Sequence, residues 1–224
     1  MKPLENQVVF FQGAGRWPGP ALARAFSAAG ATVAACDLSP SLLDPLVDEA
    51  AANGEQIRAY VGDASRGMPA RSLIDEVLSD WGRIDILVNN PRIAPTTALL
   101  DMDDYDWQHV IDANLSGAFL LTRLVGRMMR EQGGGTVLNL VAPGDEGRLS
   151  AASAASQGGL LGLSAAASRE LIAYNIHVHA LCLEEPPAPG AEDLAALAIG
   201  LCSRKIASAP GQTFRAALPQ QNHP

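Results

Sequence analysis

Apolar residues in this chain gather in short runs, and longer stretches with helical spacing separate them. Residues 7–11, 32–36, 56–61, 84–88, 136–141, 176–183 and 212–216 read as strands. Between them, residues 18–29, 69–81, 105–131, 150–170 and 192–202 read as helices. Another helix runs to Asn53, with Ser39 or Ser41 as its cap. Pro18 suits a first helical turn, Gly30 ends that helix, and Gly133–Gly135 breaks the long stretch before it. That long stretch carries Val110, Ile111, Leu115, Phe119, Leu120, Leu124 and Met128. Strand and helix alternate throughout, which predicts parallel strands with right-handed crossovers. The expected fold is a Rossmann-like, doubly wound three-layer α/β/α sheet.

Length and composition narrow this picture. A chain of 224 residues with 48% hydrophobic residues suits one domain, read as 1–216 followed by a frayed polar tail, 217–224. A net charge of −8 argues against nucleic acid or an anionic membrane as partner. Cys36, Cys182 and Cys202 have no metal or redox spacing, and neither a signal peptide nor a membrane span is read. A reduced, cytoplasmic setting is the expectation. His177 and His179 lie two apart on one strand and are read as half-buried side chains, so no metal site is expected.

Several motifs occur in a recognisable order. A glycine-rich turn, QGAGRWPG, follows the first strand. Asp37 ends the second, Asp63 follows the third, Asn89-Asn90 end the fourth, and DANLSGAFL lies in the long helix. This order resembles the short-chain dehydrogenase/reductase family over about residues 6–216. The resemblance implies NAD or NADP as cofactor, hydride exchange with an alcohol or ketone, and an Asn, Ser, Tyr and Lys active site. It assigns Gly13, Gly19, Asp37, Asp63 and Asn89 to a vestigial cofactor site, to which Gly15 adds an extra glycine that permits a rearranged turn, and Asp37 favours NAD over NADP because a 2′-phosphate would meet a carboxylate.

The departures from the family pattern T-G-x-x-x-G-x-G are equally plain. Its middle glycine is Trp17, and Pro18 removes an N–H near the helix start, so both are expected to obstruct the pyrophosphate. Where the family has N-N-A-G, this chain has Asn89, Asn90, Pro91 and Arg92, and Arg92 adds bulk to the same space. Asn114 matches the family asparagine. The serine falls at Ala142, the tyrosine at Ser153 and the lysine at Gln157. Lys2 and Lys205 are the chain's only lysines, so no register gives a Tyr-x-x-x-Lys pair. A phenol beside an ammonium exchanges the substrate proton, and serine is a far weaker acid. The Pro-Gly after the sixth strand is absent, and EEPPAPG (residues 184–190) is too short to build the family's lid.

These losses lead to the expectation of a catalytically inactive member. It would serve as a structural or regulatory subunit, associating through helices 105–131 and 150–174 and pairing with an active relative. Two alternatives stay open. One is an NAD(H)-dependent oxidoreductase with an atypical active site, for which Arg92, Asp145, Glu146 and Arg148 are candidate residues. The other is a module that senses a nucleotide or other small ligand. On the inactive reading no cofactor is expected, or NAD(H) if any.

Overall fold

Val9 and Phe11 point to one side of the first strand, Val8 and Phe10 to the other, and all four are buried. A strand that is apolar on both faces needs a covering layer on each side of its sheet. The structure, a computed structural model, describes residues 2–141, 150–183, 191–204 and 212–216 and contains both layers. The strands are β1 (Val8–Gln12), β2 (Thr32–Asp37), β3 (Ile57–Val61), β4 (Ile86–Asn89), β5 (Gly135–Val141), β6 (Ile176–Leu183) and β7 (Thr213–Ala216). They form one parallel sheet in the order β3-β2-β1-β4-β5-β6-β7.

The helices are α1 (Gly19–Ala28), α2 (Pro40–Ala52), α3 (Gly67–Trp81), α4 (Asp104–Ile111), α5 (Gly117–Gln132), α6 (Ala151–Leu171) and α7 (Ala191–Cys202). Leu22 and Phe26 of α1, Leu43 of α2 and Leu201 of α7 pack on the face that carries Val9 and Phe11. Ile74 and Val77 of α3, Leu121 and Val125 of α5 and Ala167 of α6 cover the opposite face. The doubly wound three-layer fold expected from the sequence is present as a single domain.

One element differs in kind. The stretch read as a single helix over 105–131 is interrupted by a π-helical turn, Asp112–Ser116, between α4 and α5. An added residue per turn rotates the helix face without disturbing the apolar spacing on either side, so the hydrophobic pattern does not reveal it. Asp103 caps α4 by accepting from the Asp106 N–H at 2.7 Å.

Among the described residues, no helix is long and apolar enough to cross a membrane, and no cluster of side chains could hold a metal ion. The three cysteines are free. His177 and His179 stack at 6.3 Å, and His179 meets the Phe214 ring edge-on at 5.9 Å. Burial, then the neighbouring His177, pulls the pKa of His179 down to about 4. The unfolded chain would hold that proton near pH 6.5. The folded protein therefore keeps the full benefit of a neutral His179 above pH 6.5 and loses it as pH falls towards 4. Urea melts should show stability falling by up to roughly 1.4 kcal/mol per pH unit in that window, and His179→Phe should flatten the slope.

Candidate active site

The winding of the sheet reverses between β1 and β4, which are paired neighbours. Reversal sends the two crossovers away from each other and leaves a crevice at the carboxyl ends of these strands. A cavity of about 50 Å³ lies there, lined by Gly13, Arg16, Asp37, Asp63, Asn90 and Arg92 among others. Asp37, the last residue of β2, is buried. Its carboxylate accepts from the Gly15 N–H at 3.3 Å and from the Leu38 N–H at 2.8 Å, and pairs with Arg16 at 3.5 Å. Asp63 is tied into its own turn by the Ser65 N–H at 3.0 Å, the Ser65 hydroxyl at 2.5 Å and Arg66 at 3.1 Å. Cys36 also lines the cavity. Burial, with the charges of Asp37 and Asp63, pushes its thiol up to about 12, so it is not a thiolate nucleophile at neutral pH.

The glycine turn is built around β4. Gly13 has φ +75°, and a Cβ there would collide with the Asn90 carbonyl. Asn90 returns the contact: its side-chain amide donates to the Gly13 carbonyl at 2.9 Å and the Arg16 carbonyl at 3.1 Å. Gly15 is a packing residue, because a Cβ there would lie 2.6 Å from the Leu42 carbonyl of α2. Gly19 lets α1 start against the turn, where a Cβ would come within 2.5 Å of the Ala14 carbonyl. Of the glycines assigned to the cofactor, Gly13 lines the cavity and Gly15 and Gly19 do not. Trp17 also lies outside the lining and packs against the apolar cluster on the α1 face. Arg92 lines the cavity, stacks over the Trp17 ring at 4.7 Å and donates to the Trp17 carbonyl at 3.2 Å.

Asn89 is completely buried and turns away from the cavity. Its amide donates to the Asn139 side chain at 2.7 Å, and Asn139 donates to the Ser164 hydroxyl at 2.8 Å. Asn89, assigned to the cofactor from the sequence, is not in the cavity lining and takes part in a polar ladder that joins β4, β5 and α6.

A second polar cluster forms where α6 begins. The π-helical turn carries Asn114 inward, where its side chain brackets the backbone of Ile93. The Asn114 carbonyl accepts from the Ile93 N–H at 2.9 Å, and its amide donates to the Ile93 carbonyl at 2.8 Å and the Ser156 hydroxyl at 3.2 Å. Ser156 donates to the Ser153 carbonyl at 2.9 Å, and the hydroxyls of Ser150 and Ser153 lie 3.0 Å apart. Gln157 is mostly buried beside them, with its Oε1 unpartnered among the described residues. Ala142, Asp145, Glu146, Arg148 and the segment 184–190 lie outside the described residues. Tyr60 offers no substitute acid, since its hydroxyl donates to Asp80 at 2.6 Å and burial with that bond holds its pKa up at about 12.

This geometry can be set beside known proteins. A family model described as short chain dehydrogenase matches residues 7–186. The chain belongs to that family. It is 34% identical to the 3-oxoacyl-(acyl-carrier-protein) reductase FabG of Thermotoga maritima over 80% of this chain and 73% of the relative. It is 35% identical to a 3-oxoacyl-(acyl-carrier-protein) reductase of Synechocystis sp., over 81% of this chain and 74% of the relative. The crystal structure of a short chain dehydrogenase from Mycobacterium smegmatis superposes with a TM-score of 0.88 at 24% identity, covering 98% of this chain and 95% of that one, which speaks to the fold.

These relatives correct one expectation. The replaced serine, tyrosine and lysine lead, from the sequence alone, to an inactive structural or regulatory subunit. The similar proteins are named as reductases, and they point to an oxidoreductase. Counting replaced side chains overlooks what now stands beside them. Asn114, Ser150, Ser153 and Ser156 make a connected polar network at the same place.

Sequence reasoning missed Asn90 as the clamp on the glycine turn, Ser156 as the partner of Asn114, and Pro20, which takes a second N–H from the start of α1. The proline could be read in the sequence, as could the position of Ser156 three residues after Ser153; the clamp could not. Replacing Asn114 with Leu leaves the Ile93 N–H and carbonyl without their side-chain partner in a partly buried site. The expected cost is about 2–4 kcal/mol, read as a lower urea midpoint with an unchanged m value.

Proposed function

We propose that this protein is an NAD(H)-dependent oxidoreductase with an atypical active site, acting on an alcohol or ketone. The observation that carries this reading is Asp37, fixed at the switch point by two backbone N–H groups and Arg16, in one cavity with Asp63. A carboxylate in that position suits the adenosine ribose hydroxyls and disfavours a 2′-phosphate. The carboxylates present therefore suit the ribose hydroxyls by their chemistry, and the cavity of about 50 Å³ has to widen to admit the adenosine.

When bound, the nicotinamide ring supplies or takes the hydride. The chain's own part is to orient the substrate and move a proton at its oxygen. In ketone reduction a proton drawn from solvent water would pass through Ser150 and Ser153, whose hydroxyls are in contact, to the substrate oxygen as the hydride reaches its carbon. Asn114 and Ser156 hold the helix start and the Ile93 loop against each other. The sequence has no Tyr-x-x-x-Lys pair to store the proton, so slow turnover is the expected result.

The test is NADH oxidation with a panel of ketones that includes a 3-oxoacyl thioester. Saturable turnover, at least about tenfold less efficient with NADPH, supports the reading. A preference for NADPH would overturn the role given to Asp37.

The α5–α6 face supports association with a second copy. A groove of about 380 Å³ runs between these helices, with Phe119, Leu163 and Leu171 in its lining. Light scattering of the purified protein should give a dimer or tetramer, and Phe119→Asp should shift it towards monomer. Co-purification of a different dehydrogenase would favour the hetero-oligomer expected from the sequence. A cytoplasmic location accords with the free cysteines.

A further inference from the structure

The cavity at the switch point holds about 50 Å³, whereas clefts that take a small organic ligand run to about 300 Å³ or more. An adenosine therefore enters only if part of the wall moves. Most of the wall is pinned. Cys36 and Asp37 end β2, which is paired on both sides. Gly13 and Asn90 are locked together by close backbone approach and by the Asn90 amide. Asp63 is tied into its own turn by Ser65 and Arg66. Arg92 is stacked on Trp17 and bonded to its carbonyl.

Arg16 is different. Its backbone is fixed on both sides, since its N–H donates to the Gly13 carbonyl at 3.2 Å and its carbonyl accepts from the Asn90 amide at 3.1 Å. Its side chain is 39% exposed and reaches Asp37 through Nε at 3.5 Å. A charge-assisted hydrogen bond would be shorter, about 2.7–2.9 Å, so charge rather than directed bonding holds this pair. A partly exposed pair of that kind breaks at small cost. Asp37 does not depend on it, because the Gly15 and Leu38 N–H groups stay on its carboxylate when the guanidinium leaves. The carboxylate that suits the ribose hydroxyls is thus the one that Arg16 covers.

Resting on the NAD(H) reading above, we propose that Arg16 is a latch on the adenosine site. Paired with Asp37 it closes the cavity in the free protein, and it swings towards solvent as the ribose hydroxyls take its place on the carboxylate. The glycine turn stays where it is, and only the Arg16 side chain has to move. Affinity for any adenosine-bearing ligand is then lowered by the fraction of molecules in which the latch is closed.

Calorimetric titration of the full chain with adenosine, which carries no charge, reads the latch without turnover. Arg16→Ala removes the guanidinium and its bulk, and Arg16→Met keeps bulk without charge. Both should bind adenosine about two- to fivefold more tightly than the wild type. Salt gives an independent reading, because screening loosens the pair. Wild-type affinity for adenosine should rise between about 0.01 M and about 1 M salt, and Arg16→Ala should show no such rise. Thermal melts of each variant confirm folding, and NADH is titrated alongside.

Equal adenosine affinity in the wild type and both variants would overturn the latch and leave the NAD(H) reading standing. Weaker adenosine binding in Arg16→Ala would also overturn it, because Arg16 would then hold the ligand rather than exclude it. Tighter adenosine binding in both variants, with no binding of NADH by any of the three proteins, would uphold the latch and overturn the NAD(H) reading. Failure of the wild type and of both variants to bind either ligand would overturn both.

Discussion

Replacing Ser153 with Tyr and Gln157 with Lys should raise kcat for NADH-dependent ketone reduction by about 100-fold or more, since a positioned acid of suitable pKa contributes that much. The two positions are four apart on α6, so their side chains lie on one helix face. Both are buried at the start of the helix, beside Ser150 and Ser156. The phenol takes over the proton that hydroxyls now pass along, and the ammonium lowers its pKa towards neutrality. Single variants should gain far less, because tyrosine without lysine holds its proton too tightly. The double variant should also acquire a pH dependence in kcat near the new phenol's pKa. A doubly substituted protein that folds, binds NADH and gains nothing would place the proton exchange elsewhere.

Gly13→Ala should lower stability by about 3 kcal/mol or more, through a left-handed backbone and a collision with neighbouring backbone. In a chain of this size that corresponds to a fall in Tm of roughly 6–12 °C. Gly13 has φ +75°, and its missing Cβ is the space taken by the Asn90 carbonyl. Neither partner can yield cheaply, since Asn90 is held by the Gln12 carbonyl at 3.1 Å and by its own bonds to the turn. Gly82, which ends α3, is the matched control. Its φ is +73°, but nothing lies within 4 Å of a Cβ there. Gly82→Ala should therefore cost about 1 kcal/mol, the conformational part alone. Equal losses in the two variants would show that the contact with Asn90 carries no energy.

The layered fold was legible because its cause is written in the chain. Continuous apolar runs such as VVFF at Val8–Phe11 mean burial on both faces, and helical spacing between them means crossovers. The π-helical turn at Asp112–Ser116 was not legible, because one extra residue leaves the flanking apolar spacing intact. Asp37 and Asp63 could be placed in the cleft because each follows a strand at its carboxyl end. Asn89 could not be told from Asn90. Adjacent strand residues point to opposite faces, and only the structure shows which one meets the cavity. Trp17 and Arg92 look like separate obstructions as letters, and their stacking depends on bringing together residues far apart in sequence.

The most direct test of the central claim is deuterium transfer. The protein would be incubated with NADH deuterated at the reactive nicotinamide carbon and with the ketone panel, and the alcohols analysed by mass spectrometry. The account predicts deuterium on the former carbonyl carbon, above the level given by Asp37→Ala under subsaturating cofactor. NADH bound tightly by the wild type, with no deuterium in any product across the panel, would contradict it.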